Sequence, residues 1–258
     1  MVNLQNNMPR LDNKTAVITG ASSGIGKAMA IAFAREGAHV VVNYNRSSDK
    51  ALSIVSDIHN SGGRSCAIQA NVSKNDEIQR LIESAIAEMG RIDIWVNNAG
   101  ADILTGAGAK LNDHEKLQYL IDVDLRGTIE CCWNLVPVMK TQGHGVIINM
   151  SWDMAIHGFK GHNPQMFATV KAGVLGFSRS YASTYGPEIR VNVLAPGWIR
   201  TGFAEDVMDS KYYAARISEI PVGRFGTPED VAETAVFLAS DESSYVNGEM
   251  IKINGGLS

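Results

Sequence analysis

Short runs of β-branched and apolar residues alternate along the chain with longer amphipathic stretches. This alternation is typical of βαβ units, in which helices cover both faces of a parallel sheet. The apolar runs predict strands at residues 15–19, 39–44, 65–70, 92–97, 145–150, 190–194 and 250–253. The amphipathic stretches predict helices at residues 25–37, 49–60, 74–89, 113–139, 166–185 and 228–239.

These elements predict an α/β fold class: a single Rossmann-type doubly wound domain with a parallel sheet of about seven strands and helices on both faces. No repeat, low-complexity segment or linker divides the sequence, so we expect one domain over residues 1–258. We expect residues 1–10 to form an N-terminal extension. Residues 198–226 are the least regular region and predict a substrate lid.

Composition and charge argue against several classes of protein. The net charge of -4, without a dense run of Lys or Arg, argues against a nucleic-acid partner. No apolar run approaches the roughly 20 residues that span a bilayer, and the N-terminus lacks the apolar core of a signal peptide. Three cysteines, with Cys131 and Cys132 adjacent, favour a reducing compartment over a disulfide framework. We therefore expect a cytoplasmic protein with no membrane partner and no bound metal.

A glycine-rich turn follows the first predicted strand directly. Residues 19–26 read TGASSGIG and lead into a predicted helix. Glycines let backbone N–H groups approach a pyrophosphate, and a helix N-terminus adds partial positive charge. A tight turn without a ligand is the alternative, but the strand–turn–helix context favours phosphate binding. The predicted phosphate-binding residues are Gly20, Ser22, Ser23, Gly24, Ile25 and Gly26.

The spacing TGxxxGxG resembles that of the short-chain dehydrogenase/reductase family, and further motifs follow in the family's order. Residues 97–100 read NNAG, Pro196 and Gly197 with Thr201 resemble the segment beneath the nicotinamide, and residues 254–256 resemble the closing segment. The likeness spans about residues 11–256. It implies a nicotinamide dinucleotide, a small-molecule substrate, and a homo-oligomer, tetramer or dimer, built on the long helices. The cofactor contacts that it implies are Tyr44, Asn45, Arg46, Ser47, Asn71, Val72, Asn98, Ala99, Gly100, Lys171, Pro196, Gly197, Ile199 and Thr201.

The end of the second predicted strand bears on the choice of dinucleotide. Family members that use NAD place an acid there to bind the adenosine ribose, whereas residues 42–47 read VNYNRS. Arg46 can hold a 2′-phosphate in a bidentate fashion. We therefore predict NADP(H) over NAD(H), with a solvated Arg46 and a dual-specificity site as alternatives. Asn71 stands where the family commonly has an aspartate facing the adenine.

The resemblance matches only one of the family's catalytic positions. Residues 167–173, FATVKAG, align with the family's YxxxKAG, so Lys171 is matched and Phe167 replaces the tyrosine acid. Trp152 aligns with the catalytic serine, with Ser151 as the alternative in a shifted register, and Asp124 aligns with the asparagine. The resemblance implies that the usual proton relay is absent, while Lys171 still contacts the nicotinamide ribose.

Other residues could replace the missing acid. Asp153 and His157 lie in the predicted loop 152–165, and an Asp–His pair can supply an acid/base near neutrality. Asp124 and Asp102 are further candidates. The alternatives are a turn cap for Asp153, a surface position for His157 and a backbone contact for Asp124. The predicted catalytic residues are Lys171, Asp153, His157 and Asp124, and the predicted pocket walls are Trp152, Phe167 and Trp198.

Three functions remain open from the sequence. The first is an NADP(H)-dependent oxidoreductase with altered proton handling, suited to an iminium-like carbon or a conjugated alkene. The second is a non-redox lyase or isomerase that uses Asp153, His157 or Asp124. The third is a catalytically silent NADP-binding protein. The first is favoured because Lys171 and the nicotinamide region match the family.

Overall fold

The computed structural model describes residues 9–201, 208 and 210–257. Within them, seven strands form one sheet: β1 (Thr15–Ile18), β2 (His39–Tyr44), β3 (Ser65–Gln69), β4 (Ile94–Asn97), β5 (Gly145–Met150), β6 (Ile189–Pro196) and β7 (Met250–Ile253). Their order is β3-β2-β1-β4-β5-β6-β7, and every neighbouring pair is parallel. The predicted fold class is confirmed. The strand order reverses between β1 and β4, where doubly wound proteins open a crevice at the carboxyl ends of the strands.

Helices cover both faces of this sheet. They are α1 (Gly24–Arg35), α2 (Ser48–Asn60), α3 (Asn75–Met89), α4 (Asp113–Leu120), α5 (Gly127–Gln142), α6 (His162–Tyr185), α7 (Ser210–Glu219) and α8 (Pro228–Ala239). Short 3₁₀ turns lie at Gly108–Lys110 and Asp241–Ser243. None of the described helices is both long and apolar enough to cross a membrane.

The core divides into two apolar layers, one on each face of the sheet. Phe33 of α1 and Val236 of α8 pack in one layer, whereas Leu135 of α5 and Val170 of α6 pack in the other. The strand β1 is buried along its whole length, and its alternate side chains enter opposite layers. A strand covered on both faces is apolar without alternation, which explains why continuous apolar runs predicted strands correctly.

The helix predicted over residues 113–139 is interrupted. A capping box between Asn112 and Glu115 begins α4, and one turn of π-helix at Ile121–Arg126 separates α4 from α5. The helix α5 then continues to Gln142 and ends at Gly143, whose φ of 76° requires the left-handed region. A π turn accommodates an extra residue and is often found at functional sites.

One further helix prediction is corrected, and one helix was not predicted. The helix α6 begins at His162 rather than 166, with Pro164 in its first turn, where a missing N–H costs no helical hydrogen bond. The predicted lid at residues 198–226 contains the helix α7, which the sequence pattern did not predict. Residues 202–207 and 209 of that segment, and 1–8 of the predicted N-terminal extension, lie outside the described residues.

Candidate functional site

The glycine-rich turn between β1 and α1 requires its glycines. Gly20 and Gly24 have φ values of 62° and 54°. A Cβ atom on Gly20 would lie 2.8 Å from Ala99 Cα, and one on Gly26 would lie 2.5 Å from Asn98 Nδ2. The turn therefore packs directly against the segment after β4, and no larger residue fits at either position.

Buried amides hold this turn in place. Asn98 Nδ2 donates to the carbonyl oxygen of Thr19 at 2.9 Å, and Thr19 Oγ1 accepts from the Asn98 backbone N–H at 3.0 Å. The side chain of Asn43 accepts from the Gly20 N–H at 3.2 Å and donates to the carbonyl oxygen of Ala70. Asn43 was missed in the sequence, although a polar residue inside the apolar β2 run was a signal for it.

The first turn of α1 is available to an anion. Its N-cap, Ser23, makes no side-chain capping bond, and the turn contains no acidic residue. The N–H groups of an uncapped helix start need acceptors, and the helix dipole favours a negative one. The glycine turn and this helix start together fit the pyrophosphate of a dinucleotide.

A polar pocket of about 260 Å³ adjoins the turn. It has no acidic residue among its described lining residues, and Arg46 is exposed there without an ion pair or hydrogen bond to any described side chain. The side chain of Asn71 is engaged locally, since it accepts from the backbone and the hydroxyl of Ser73. The lining residues are Gly20, Ser22, Ser23, Asn43, Asn45, Arg46, Ser47, Ala70, Asn71, Val72, Asn98, Ala99, Gly100, Tyr119 and Val123.

A larger, mainly apolar cavity of about 510 Å³ lies beside this pocket. Asn98 and Gly100 line both spaces, so one elongated ligand could occupy the two together. Among its lining residues are these predicted ones: Ile25, Asn98, Gly100, Asp124, Ser151, Trp152, Phe167, Lys171, Pro196, Gly197, Trp198, Ile199 and Thr201. The sequence did not predict Asn163, Pro164 and Tyr212, because they belong to the start of α6 and to α7.

Three residues of the predicted cofactor set line neither space. Gly24 and Gly26 shape the turn, as described above. Tyr44 packs against the apolar core, and its hydroxyl accepts from Ser48 Oγ at 3.4 Å.

A buried ion pair joins the π turn to α6 at the cavity wall. Lys171 Nζ lies 2.8 Å from Asp124 Oδ1, with 7% and 1% of the two side chains exposed. The other carboxylate oxygen of Asp124 accepts from the Ala101 N–H at 2.7 Å, and Lys171 also donates to the carbonyl oxygen of Met150 at 3.2 Å. Asp124 therefore neutralises Lys171 and fixes its position.

Aromatic rings line the cavity next to this ion pair. Trp152 contacts Phe167 edge-on with ring centroids 5.4 Å apart, and Phe159 bridges Trp152 to Trp198. Lys171 Nζ lies 5.4 Å from the centre of the Phe167 ring. The hydroxyl of Ser151 donates to the carbonyl oxygen of Lys171 at 2.9 Å, so its proton is used within the protein. Trp152, Phe167 and Trp198 line the cavity as the sequence indicated.

The structure does not form the predicted Asp153–His157 pair. Asp153 is 1% exposed and accepts from Asn254 Nδ2 at 3.2 Å, whereas His157 is exposed. No hydrogen bond joins the two residues, and neither lines the apolar cavity among its described residues. Burial raises the pKa of Asp153, while the bond from Asn254 opposes this shift. Because Asp153 does not line the cavity, its raised pKa does not allow it to donate a proton to a ligand there.

Asp102 lies at the cavity wall and is held by its own loop. Its carboxylate accepts from the backbone N–H groups of Leu104 and Thr105, both at 2.9 Å, and from the Thr105 hydroxyl. Partial burial acts to raise the pKa of Asp102, but the hydrogen bonds from Thr105 and Leu104 outweigh it and lower the pKa. Asp102 is therefore a carboxylate at neutral pH.

The fold and the site define a doubly wound α/β protein with a phosphate-binding turn at its switch point and an apolar cavity beside it. A family model described as Enoyl-(Acyl carrier protein) reductase matches residues 20–258. The chain belongs to the short-chain dehydrogenase/reductase family.

Curated relatives and solved structures are similar over nearly the whole chain. The 3-oxoacyl-(acyl-carrier-protein) reductase FabG of Thermotoga maritima is 41% identical, covering 96% of this chain and 99% of the relative. The 3beta-hydroxysteroid dehydrogenase 1 of Eggerthella lenta is 39% identical, covering 96% and 94%. A solved 7 alpha-hydroxysteroid dehydrogenase, complexed with NADH and 7-oxo glycochenodeoxycholic acid, has a TM-score of 0.88 and 33% identity, covering 96% of each chain. These relatives are reductases and dehydrogenases by name.

Proposed function

We propose that the protein is an NADP(H)-dependent oxidoreductase whose active site lacks the family's usual proton donor. The observation that carries this proposal is the continuity of the two spaces, because Asn98 and Gly100 line both the polar pocket and the apolar cavity. A dinucleotide in the glycine turn would thus extend to the cavity that holds Lys171. When bound there, a nicotinamide cofactor supplies or accepts a hydride.

The polar pocket supports NADP(H) over NAD(H). Its described lining residues include no acid that could bind the adenosine ribose, and Arg46 is exposed without a protein partner. Arg46 can bind a 2′-phosphate with two parallel hydrogen bonds. Solved relatives differ in the dinucleotide that they bind. The 7 alpha-hydroxysteroid dehydrogenase was solved with NADH, and a gluconate 5-dehydrogenase from Burkholderia cenocepacia was solved with NADP.

Lys171 retains a binding role in this proposal. An ammonium group has three donors, and two of them are used by Asp124 and by the carbonyl oxygen of Met150. The third has no partner among the described residues, which leaves it for a ribose hydroxyl of the cofactor. Asp124 sets the direction of Lys171 and cancels its charge.

The proton chemistry departs from the family pattern in this proposal. Phe167 and Trp152 stand where the resemblance places the tyrosine and serine. A phenyl ring has no proton to give, and an indole N–H donates a hydrogen bond but is too weak an acid to protonate a carbonyl oxygen. The Ser151 hydroxyl already donates to the backbone carbonyl oxygen of Lys171, and the Asp124 carboxylate is held by its ion pair with the Lys171 ammonium group. A general acid typically contributes about 10²–10⁴ in rate, so carbonyl reduction should be slow in this site.

No specific observation favours the non-redox alternative. A lyase or isomerase would have relied on Asp153 and His157, which do not line the apolar cavity. A silent NADP-binding protein would bind the cofactor without oxidising or reducing it in the presence of any substrate.

Cofactor titration tests the proposal. The purified protein is titrated with NADPH and with NADH while nicotinamide fluorescence is followed. We expect NADPH to bind at least about tenfold more tightly, which is 1.4 kcal/mol in binding free energy. No binding of either dinucleotide would overturn the redox proposal, and equal affinities would overturn the preference for NADP(H).

We further propose that the protein is a homo-oligomer, as the resemblance implies. The helix α5 presents Trp133 with 56% of the residue exposed, which is unusual for a large apolar ring on a free surface. Light scattering of the wild type and of Trp133→Glu tests this. We expect a dimer or tetramer that the substitution weakens, and a monomeric wild type would overturn the proposal.

A further inference from the structure

We propose that the substrate of the apolar cavity is an iminium ion, that is, a cationic C=N group carried on an apolar body. This inference rests on the proposed function and names its substrate class. It follows from the charges that face the cavity, from the rings that enclose it, and from the electron balance of hydride transfer.

The charged side chains among the described lining residues give the cavity one net negative charge. The described lining residues include three charged groups: Asp102, Asp124 and Lys171. Asp124 and Lys171 cancel each other at 2.8 Å. Asp102 forms no salt bridge with a described residue and is held by uncharged donors from its own loop. One uncompensated carboxylate favours a cationic ligand and disfavours a carboxylate or phosphate in the same space.

The rings that enclose the cavity suit a cation as well. Trp152 and Trp198 line it, and indole is the best of the aromatic rings for a cation–π contact. No Lys or Arg of the described chain lies over either indole. By contrast, Arg216 lies over Phe159 and Tyr212, where Glu219 pairs with it at 2.6 Å. The two tryptophans are therefore the rings left for a charged ligand.

The chemistry of an iminium ion matches the missing acid. Hydride adds to the iminium carbon, the π electrons of the C=N bond move to nitrogen, and a neutral amine forms as the nicotinamide is oxidised. No proton enters this balance. A carbonyl group would instead become an alkoxide, which needs a proton that Phe167 does not carry. Asp124 contributes by removing the repulsion that a bare Lys171 would exert on a cation.

Ligand binding tests the inference without relying on turnover. The full chain, with and without NADPH, is titrated with the quaternary ion N,N-dimethyltetrahydroisoquinolinium, which cannot accept a hydride, and with its neutral carbon isostere dimethyltetralin. Tryptophan fluorescence reports the occupancy of the cavity through Trp152 and Trp198. We expect the cation to bind about tenfold more tightly or better, because the indole faces and the Asp102 carboxylate attract only the charged ligand. Equal binding, or tighter binding of the isostere, would overturn the inference.

Substitution of Asp102 shows whether the carboxylate provides this preference. Asp102→Asn retains an oxygen for the Leu104 and Thr105 N–H groups and removes the charge. Its NH2 group replaces the oxygen that accepts from the Thr105 hydroxyl, and that hydroxyl can accept from it instead. We expect the preference for the cation to fall by about fivefold, while binding of the isostere stays unchanged. The control is Glu83→Gln, an exposed acid on α3 that does not line the cavity. An equal loss in both variants would point to net charge alone and overturn the inference.

The outcomes separate this inference from the proposed function. NADPH binding with reduction of neutral carbonyls, and without a preference for the cation, would retain the oxidoreductase and overturn the iminium substrate. A preference for the cation without binding of either dinucleotide would overturn both, because no hydride source would remain. NADPH binding together with the cation preference and its loss in Asp102→Asn is the result we expect.

Discussion

Lys171 of α6 and Asp124 of the π turn form an ion pair with 2.8 Å between Nζ and Oδ1, and both side chains are almost fully buried. Two neighbours complete the arrangement, since Ala101 donates to Asp124 and Lys171 donates to Met150. The pair therefore adds no net charge to the cavity, sets the position of Lys171 and joins α6 to the segment after β4. Its removal should affect stability and ligand binding together.

A double-mutant cycle measures the strength of this pair. Lys171→Met and Asp124→Asn should each lower the free energy of unfolding by about 3 kcal/mol, because each leaves a buried polar group without its partner. The double variant should lose less than the sum of the two, with a coupling of about 2 kcal/mol. Urea unfolding supplies the three differences.

An exposed ion pair of similar length is the control. Arg80 and Asp76 lie 2.9 Å apart on α3 with 63% and 68% of their side chains exposed. Asp76→Asn should leave the unfolding free energy almost unchanged, because solvent screens an exposed ion pair. Additive effects of Lys171→Met and Asp124→Asn would show that the two residues do not act as a pair.

Arg46 should determine the choice of dinucleotide. In Arg46→Ala, the affinity for NADPH should fall by about 10- to 100-fold, because a charge-assisted hydrogen bond to a phosphate contributes roughly 1.5–3 kcal/mol. The affinity for NADH should remain within about twofold. Arg179→Ala, on the exposed surface of α6, controls for the loss of one positive charge. A parallel loss for NADPH and NADH would mean that Arg46 does not contact the 2′-phosphate.

Restoring the family's donor groups should restore carbonyl chemistry. Phe167→Tyr combined with Trp152→Ser should raise the rate of NADPH-dependent reduction of a small cyclic ketone by about 10²–10⁴. The readout is the loss of nicotinamide absorbance in single turnovers.

Tyr212→Phe tests whether another phenol acts as the proton donor, since Tyr212 is the phenol that lines the cavity in the described residues. A collapse of wild-type turnover in that variant would identify Tyr212 as a proton donor and contradict our account.

The start of α8 should become less stable in acid. A side-chain hydrogen bond from Arg224 lowers the pKa of Asp230 to about 2, against the opposing effect of partial burial, and Asp230 also completes a capping box with Thr227. Because the folded pKa lies below the unfolded value, the stabilisation is complete above about pH 4 and disappears as the pH falls towards about 2.

Comparison of the wild type with Asp230→Asn tests this sign. The variant should be less stable by about 1 kcal/mol near neutrality. This value is mainly that of a lost helix cap, because solvent screens the partly exposed ion pair with Arg224. The difference should shrink as the pH falls from about 4 to 2, as followed by thermal unfolding. A difference that grows in acid would contradict the assignment.

Much of the fold was predictable because single segments encode it. The strands β2, β5 and β7 have the bounds that their apolar runs predicted. The helix α8 also has its predicted bounds, since a threonine cap and a proline define its start. The break between α4 and α5 was not predictable, because the extra residue of a π turn shifts the apolar pattern by only one position within a long amphipathic stretch. The helix α7 has no fully buried residue, and its partly buried apolar pair, Tyr213 and Ile217, is too short a stripe to recognise in the sequence.

The site residues that belong to short sequence motifs were predictable. The glycine turn and the residues after β4 lie together as expected, because each follows the carboxyl end of a strand at the switch point. The contact between Asp124 and Lys171 was not predictable, since it depends on how the π turn packs against α6. Asp153 and His157 were paired incorrectly because sequence separation within a loop does not define side-chain direction. Asp153 turns towards Asn254 instead.

The most direct test of the account is hydride transfer to a permanently charged substrate. The protein with bound NADPH is mixed with N-methyldihydroisoquinolinium, and nicotinamide absorbance is followed in single turnovers between about pH 6 and pH 9. The account predicts that one NADPH is consumed per site at a rate that does not change with pH, because no proton enters the reaction. No consumption of NADPH, or a rate that falls about tenfold for each unit of rising pH, would contradict it.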